Sequence, residues 1–446
     1  MWERLRSVWT VPDLRNKILF TLGMLLIFRV LAHITVPLSP SEQKALVDLF
    51  NTNKNQNLGQ LLGLLDVFSG GSLQTFSIVA LGVYPYITAT IVMQLLQPII
   101  PALQNLSMQG EAGRLRFSQI TRIITVPLAF LQALGNAAIF QRANVLQNFS
   151  LVDPKYALET WAILLSLTAG TMILVWLGEL ITENGIGNGI SLIIFGGILT
   201  RLPSYITQGY TSATTSGGSG SGVVSIAVFL IIGLITIVGI VYVYQGQRRV
   251  PVQYPTKRMV GRGMLVGSAQ TTYIPMQVNS AGMIPIIFAQ SMLLFPSVIA
   301  QYLATSTTPW LRDSAQWVGT YLVNTQLWWY WAIYFLLVVA FTYFYAYVVW
   351  QQQNIPENLQ KQGAFIPGYR PGEPTSRYLL NILNRITLAG ALFLGIVAAV
   401  LPYISRVGGN QLLGSASLLI VVGVVLDTVR QLEAQMVMRN YSGFLS

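Results

Sequence analysis

The chain has 446 residues, of which 53% are hydrophobic and 9% charged, with a formal net charge of +11. Soluble domains carry about 25% charged residues, so a water-soluble globule is excluded, and the mean hydropathy of +0.57 points to lipid as the solvent. With no cysteine in the chain, disulfides and thiolate metal sites are excluded as well.

From the N-terminus, Arg4, Arg6, Arg15 and Lys17 precede the first apolar run in the manner of a secretory leader. That run is too long for a leader, contains Arg29 and lacks a small-residue cleavage site, which predicts a retained span. A helix needs roughly 20 apolar residues to cross the hydrocarbon core. Hydropathy places ten such spans near 18–37, 76–97, 118–140, 158–181, 186–205, 223–244, 275–298, 327–350, 379–402 and 413–432. The fold class expected is an all-α polytopic membrane protein. Placing both termini in the cytoplasm puts most of the 26 Lys and Arg residues on that side, as the positive-inside rule requires. His33, the sole histidine, reads as an interface residue near the end of span 1.

Between the first two spans, GQLLGLLDVFSGG at 59–71 is apolar but too short to cross. It reads as an interfacial or re-entrant segment with glycines at both ends. Spans 2 and 7 share a pattern: LGVYPYIT carries Gly82 and Pro85, and AGMIPIIF carries Gly282 and Pro285. With five spans per half, the halves 1–205 and 206–446 must run antiparallel, the arrangement of inverted-repeat bundles. The stretch Thr211–Gly222 reads as a flexible linker. Two long basic loops fall on the cytoplasmic side. One spans 245–273 and carries Arg248, Arg249, Lys257, Arg258 and Arg262; the other spans 351–378 and holds GAFIPGYRPGE. Their length and their Pro, Gly and aromatic content suit partner docking or a solvated tether.

Ionisable residues within the spans are few: Arg29, His33, Arg122, Glu179, Arg385 and Asp427. Most sit near helix ends, where long side chains reach the interface. There is no phosphate-binding loop, no metal-ligand cluster and no buried acid–base pair, so neither a cofactor nor enzyme activity is expected. An inverted-repeat transporter of a small solute is the alternative reading, and it would need a polar or charged midplane site.

Seven stretches carry a resemblance that covers essentially the whole chain: DVFSGG (66–71), ALGVYPYITATIVMQLL (80–96), ITENGIGNGISLIIF (181–195), YQGQRRVPVQY (244–254), PMQVNSAGMIPIIFAQSMLLFP (275–296), GAFIPGYRPGE (363–373) and SLLIVVGVVLDTVRQ (417–431). In this order they resemble the SecY family of protein-secretion channels. The resemblance implies two inverted pseudo-symmetric halves and a pore for unfolded polypeptide. It further implies a gate to lipid between spans 2 and 7, a bacterial plasma-membrane location and both termini in the cytoplasm.

The same resemblance implies site residues. A pore ring would comprise Val83, Ile87, Ile190, Ile194, Ile287 and Ile420; aliphatic side chains seal by excluding water and yield to a moving chain. The pairs 83/87 and 190/194 are spaced i,i+4, so each pair shares one face of its helix. A re-entrant plug helix at about 60–71 would present Leu61, Leu62, Leu64, Leu65, Asp66 and Phe68. Thr88, Gln132, Asn279 and Phe295 would line the lateral gate. Arg248, Arg249, Lys257, Arg258 and Arg370 would engage partners: the SecA ATPase and the ribosome, whose RNA is anionic. SecE and SecG are the small membrane subunits implied, and signal peptides and unfolded polypeptides the substrates.

Overall fold

The computed structural model describes residues 11–36, 39, 42–46, 69–142, 145–146, 153–200, 203, 221–260, 264–303, 308–318, 321, 327–403 and 415–442. Helix α1 runs Pro12–Leu31, α2 Tyr84–Leu96, α3 Pro101–Met108, α4 Glu111–Arg142 and α5 Pro154–Asn184. Helix α6 is Gly189–Thr200, and α7 is Ser221–Gln245. After a β-ribbon come α8 Ile284–Leu303, α9 Pro309–Trp317, α10 Trp328–Gln353, α11 Ile355–Lys361, α12 Glu373–Gly395 and α13 Ser415–Ser442. Each of the ten expected spans holds one of these helices. Among the described residues, Leu115–Gln141, Tyr156–Asn184, Trp328–Lys361 and Glu373–Tyr403 are helical stretches long and apolar enough to cross a membrane.

Helix is the form these sequences must take in lipid, because it satisfies every backbone group within the segment. Lipid also permits apolar surface to stay outside. Leu131, Leu158, Leu234 and Leu336 all point outward, whereas the facing sides of the helices are closed. Helix α2 packs against α4, α5 and α8; α8 packs against α10 and α4; α10 packs against α12, and α7 against α13.

Spans 2 and 7 are only partly helical, and for the same reason. Gly82 and Gly282 take left-handed φ values of 60° and 65°, a conformation costly for any residue with a Cβ. The helices start just beyond them, with Pro85 and Pro285 each second in its helix, where a missing N–H costs nothing. The irregular chain before each glycine leans on a small residue of a long helix. A Cβ at Gly170 of α5 would collide with the Ile78 carbonyl, and one at Gly390 of α12 with the Val278 carbonyl. Four paired positions in two separate regions make the repeat structural rather than a chance Gly-x-x-Pro. Irregular backbone at membrane depth must be shielded by protein. Around span 2 it is: Ser72, Leu73, Phe76, Ser77 and Val79 are all buried, and Ile78 N–H donates to the Ile34 carbonyl at 3.0 Å.

The 245–273 region departs from the loop expected. It forms an antiparallel ribbon of β1 (Gln247–Val260) and β2 (Met264–Gln277), in register Val250↔Ile274 and Lys257↔Gly267. Pro251 and Pro255 are compatible because every strand of a two-stranded ribbon is an edge. An isolated hairpin is marginal in water. Here Val250, Val252 and Met276 at its root bury against Trp350, Leu359, Ile366, Leu379 and Leu383, forming a second core. Because β2 runs to Gln277 and Gly282 follows, the span 7 helix begins at Ile284 rather than 275.

Candidate functional site

Of the six ring candidates, Val83, Ile87, Ile194, Ile287 and Ile420 are buried in one continuous core, and half-buried Ile190 packs against it. They come from four elements. Val83 caps α2 and its carbonyl accepts the Ile87 N–H at 3.1 Å, so this pair sits at the very start of the helix. Ile190 and Ile194 lie on α6, where Ile190 rests over Gly178 of α5: a Cβ there would lie 2.8 Å from Ile190 Cγ1. Ile287 is in the first turn of α8 and Ile420 in α13. Ile87 and Ile287 each follow the left-handed glycine of their broken span, Gly82 or Gly282, by five residues. Among the described residues there is no group of acidic and histidine side chains able to hold a metal ion.

At the α2–α8 seam, Gln132 Nε2 of α4 donates to Thr88 Oγ1 at 3.4 Å, and Thr88 Oγ1 donates to the Tyr84 carbonyl at 3.0 Å. The bond that crosses from α2 to α8 is a different one. The buried Tyr84 hydroxyl donates to the Ser291 carbonyl at 3.0 Å. Asn279 Nδ2 donates to the Gly282 carbonyl at 3.1 Å. Phe295 lies on α8. Tyr84 escaped the sequence reading because nothing in LGVYPYIT distinguishes a tyrosine that fills the core from one that bridges helices. Arg122 and Glu179, noted singly in the sequence, form a 2.6 Å ion pair between α4 and α5.

The plug residues Leu61, Leu62, Leu64, Leu65, Asp66 and Phe68 lie outside the described residues. The chain just after them, residues 69–71, passes between α1 and α6. The Gly70 carbonyl accepts from Arg29 Nη1 and Thr200 Oγ1, each at 3.4 Å, and a Cβ at Gly70 would lie 2.7 Å from Gly197 Cα. Gly70 thus packs closely on Gly197 of α6.

The two basic loops meet. Gln253 of β1 and Phe365 exchange backbone hydrogen bonds of 2.9 and 3.0 Å, so ribbon and GAFIPGYRPGE loop make one platform. Arg248, Arg249 and Arg370 are exposed on it; Lys257 and Arg258 lie further along β1. Tyr369 and Tyr378 stack with ring centroids 4.0 Å apart beside Arg370. The root of the ribbon is tied to α13: Arg430 donates to the Tyr244 carbonyl at the end of α7 and, at 3.4 Å, to Gln277 Oε1.

Paired broken spans, an uncharged aliphatic centre and a basic platform at one end define a polytopic helical membrane bundle built as an inverted repeat. Comparison with solved structures gives the same fold. The chain superposes on a protein-conducting channel with a TM-score of 0.60 at 18% identity, covering 95% of this chain and 93% of the other. Sec61 from a canine ribosome–channel complex of the endoplasmic reticulum gives 0.56 at 18% identity, covering 95% and 93%. Closer relatives are found by sequence. Protein translocase subunit SecY of Streptomyces griseus is 41% identical over 455 residues, covering 100% of both chains. The subunit of Mycobacterium tuberculosis H37Rv is 41% identical over 445 residues, covering 97% of each. The SecY family description matches residues 77–429. The chain belongs to the SecY family.

Proposed function

We propose that this chain is the pore-forming subunit of a protein translocase, conducting unfolded secretory polypeptides across the membrane and releasing apolar segments sideways into lipid. Its relationship over full length to translocase subunits carries the reading. The physical design is consistent with it. A pore that passes any sequence cannot rely on fixed charge or a rigid filter, whereas a collar of branched aliphatics excludes water until a chain parts it. Val83, Ile87, Ile190, Ile194, Ile287 and Ile420 are assigned to that collar, and the 60–71 segment to the plug beside it. The α2–α8 seam is assigned as the lateral gate, with Thr88, Gln132, Asn279 and Phe295 along it. The halves 1–205 and 206–446 hinge apart to open it.

The platform of Arg248, Arg249, Lys257, Arg258 and Arg370 is assigned to the cytoplasmic face, with both termini on that side of a bacterial plasma membrane. Exposed guanidinium groups beside stacked tyrosines suit ribosomal RNA and acidic surfaces of a SecA-type ATPase. The energy for transport then comes from outside this chain. SecE and SecG complete the membrane complex.

Planar-bilayer recording tests the collar. Replacing Ile87, Ile194 and Ile287 with serine is expected to give a steady ion leak in the absence of substrate. Conductance identical to the unmodified channel would remove the collar from the account.

A further inference from the structure

Helix α9 lies outside the ten spans, between the end of α8 and the start of α10, on the membrane face opposite the ribbon. At about 100° per residue its nine residues sort into three faces. Ala315 is buried and Leu311 half-buried, so they hold the helix to the bundle. About a third of a turn away, Trp310 and Trp317 stand 76% and 57% exposed on one line. Tyr321 prolongs that line, its ring 5.5 Å from that of Trp317. The remaining side carries Arg312, Asp313 and Gln316, all exposed. Exposed tryptophans are costly in water, and two on one line of so short a helix call for a cover. At the same end of the bundle, α10 opens with the stacked and half-exposed Trp328 and Trp329, and its exposed Leu336 belongs to the lipid-facing surface. The aromatic stripe of α9 and the aromatic pair of α10 thus lie at the same end of the bundle, and α10 leads from its pair into a lipid-facing surface. Tryptophan and tyrosine favour the headgroup level, where an apolar ring and a polar N–H or O–H are both satisfied.

We propose that α9 is an interfacial anchor that lies in the headgroup layer opposite the ribbon, with Trp310, Trp317 and Tyr321 in lipid and Arg312, Asp313 and Gln316 in water. Its occupant is the bilayer itself. Because α9 follows α8 directly and packs on it, the anchor ties the far end of α8 to the plane of the interface. Any sideways movement of α8 then drags an amphipathic helix through the headgroups, and the packing of that leaflet bears on the movement.

The chain has no cysteine, so one introduced thiol is the only labelling site. An environment-sensitive fluorophore is attached at Ser314→Cys, beside the aromatic line, or at Gln316→Cys, on the water side, in the full-length protein in phosphatidylcholine–phosphatidylglycerol nanodiscs. Leu336→Cys and Arg249→Cys calibrate lipid and water. The label at 314 is expected to be blue-shifted, quenched by headgroup-level nitroxide lipid and protected from an aqueous quencher, with the reverse at 316. A 314 label as water-exposed as that at 249 would overturn the proposal. Adding Trp310→Ser and Trp317→Ser should move the 314 label into water. If it stays quenched by lipid, the aromatic residues are not the anchor.

Discussion

Tyr84→Phe removes a single hydroxyl, and its effect follows from the geometry at the α2–α8 seam. The lost bond runs from Tyr84 to the Ser291 carbonyl at 3.0 Å, joining the two helices assigned to the proposed lateral gate. Within a helix each carbonyl already accepts the bond of its own ladder, so the change strands no acceptor. Its cost should sit near the membrane-protein average of about 0.6 kcal/mol, below the upper range for buried bonds. At RT of about 0.6 kcal/mol that is about a threefold shift toward the open seam. Gln132→Leu should do less. Its 3.4 Å bond to Thr88 is long, and Gln132 Oε1 is buried with no hydrogen-bond partner, so leucine also relieves an unsatisfied acceptor. Spin labels at Val92→Cys on α2 and Met292→Cys on α8, both exposed, report the seam's width. The signal-peptide concentration that half-converts the distance distribution should fall about threefold in Tyr84→Phe and less in Gln132→Leu. An unchanged midpoint for Tyr84→Phe, or a larger shift for Gln132→Leu, would refute this reasoning.

Further consequences are as specific. Gly170→Ala and Gly390→Ala each push a methyl group into a carbonyl of the opposite irregular segment, so both should lower the unfolding temperature in detergent. Gly233→Ala, with open space around it, should not. Arg430→Gln exchanges a charged donor for a shorter neutral one and frees the ribbon's root; hydrogen exchange at 246–278 should quicken, by the equivalent of about 1.5–3 kcal/mol if the full charged bond is lost. Trp350→Ala removes the largest side chain of the core beneath the ribbon, at a local cost of about 3–5 kcal/mol. Limited proteolysis should then cut the platform while the apolar spans stay intact.

Much of this architecture is written in short-range signals. Long apolar runs forecast helices because lipid leaves the backbone no alternative, and Gly82–Pro85 with Gly282–Pro285 marked the repeat because each glycine meets a conformational demand. What was not legible depends on distant neighbours. The ribbon of β1 and β2 carries prolines and basic residues that read as loop, and its order comes from Trp350 and Leu379 a hundred residues downstream. The 84–291 bond and the 122–179 ion pair are likewise invisible until helices are placed side by side. Asn279, matched to the gate by resemblance, bonds within its own turn; no local pattern reveals which of several carbonyls a buried amide will choose.

Photocrosslinking of a translocating chain tests the central claim most directly. A secretory precursor stalled midway by a folded C-terminal domain is offered to channels carrying Ile190→Cys or Ile420→Cys, each armed with a photoreactive thiol reagent, with Leu336→Cys on the outer surface as the contrast. Adducts at 190 and 420 that vanish when the precursor lacks its signal, and none at 336, are the predicted result. A precursor that traverses the membrane without touching either position would show that its route lies elsewhere.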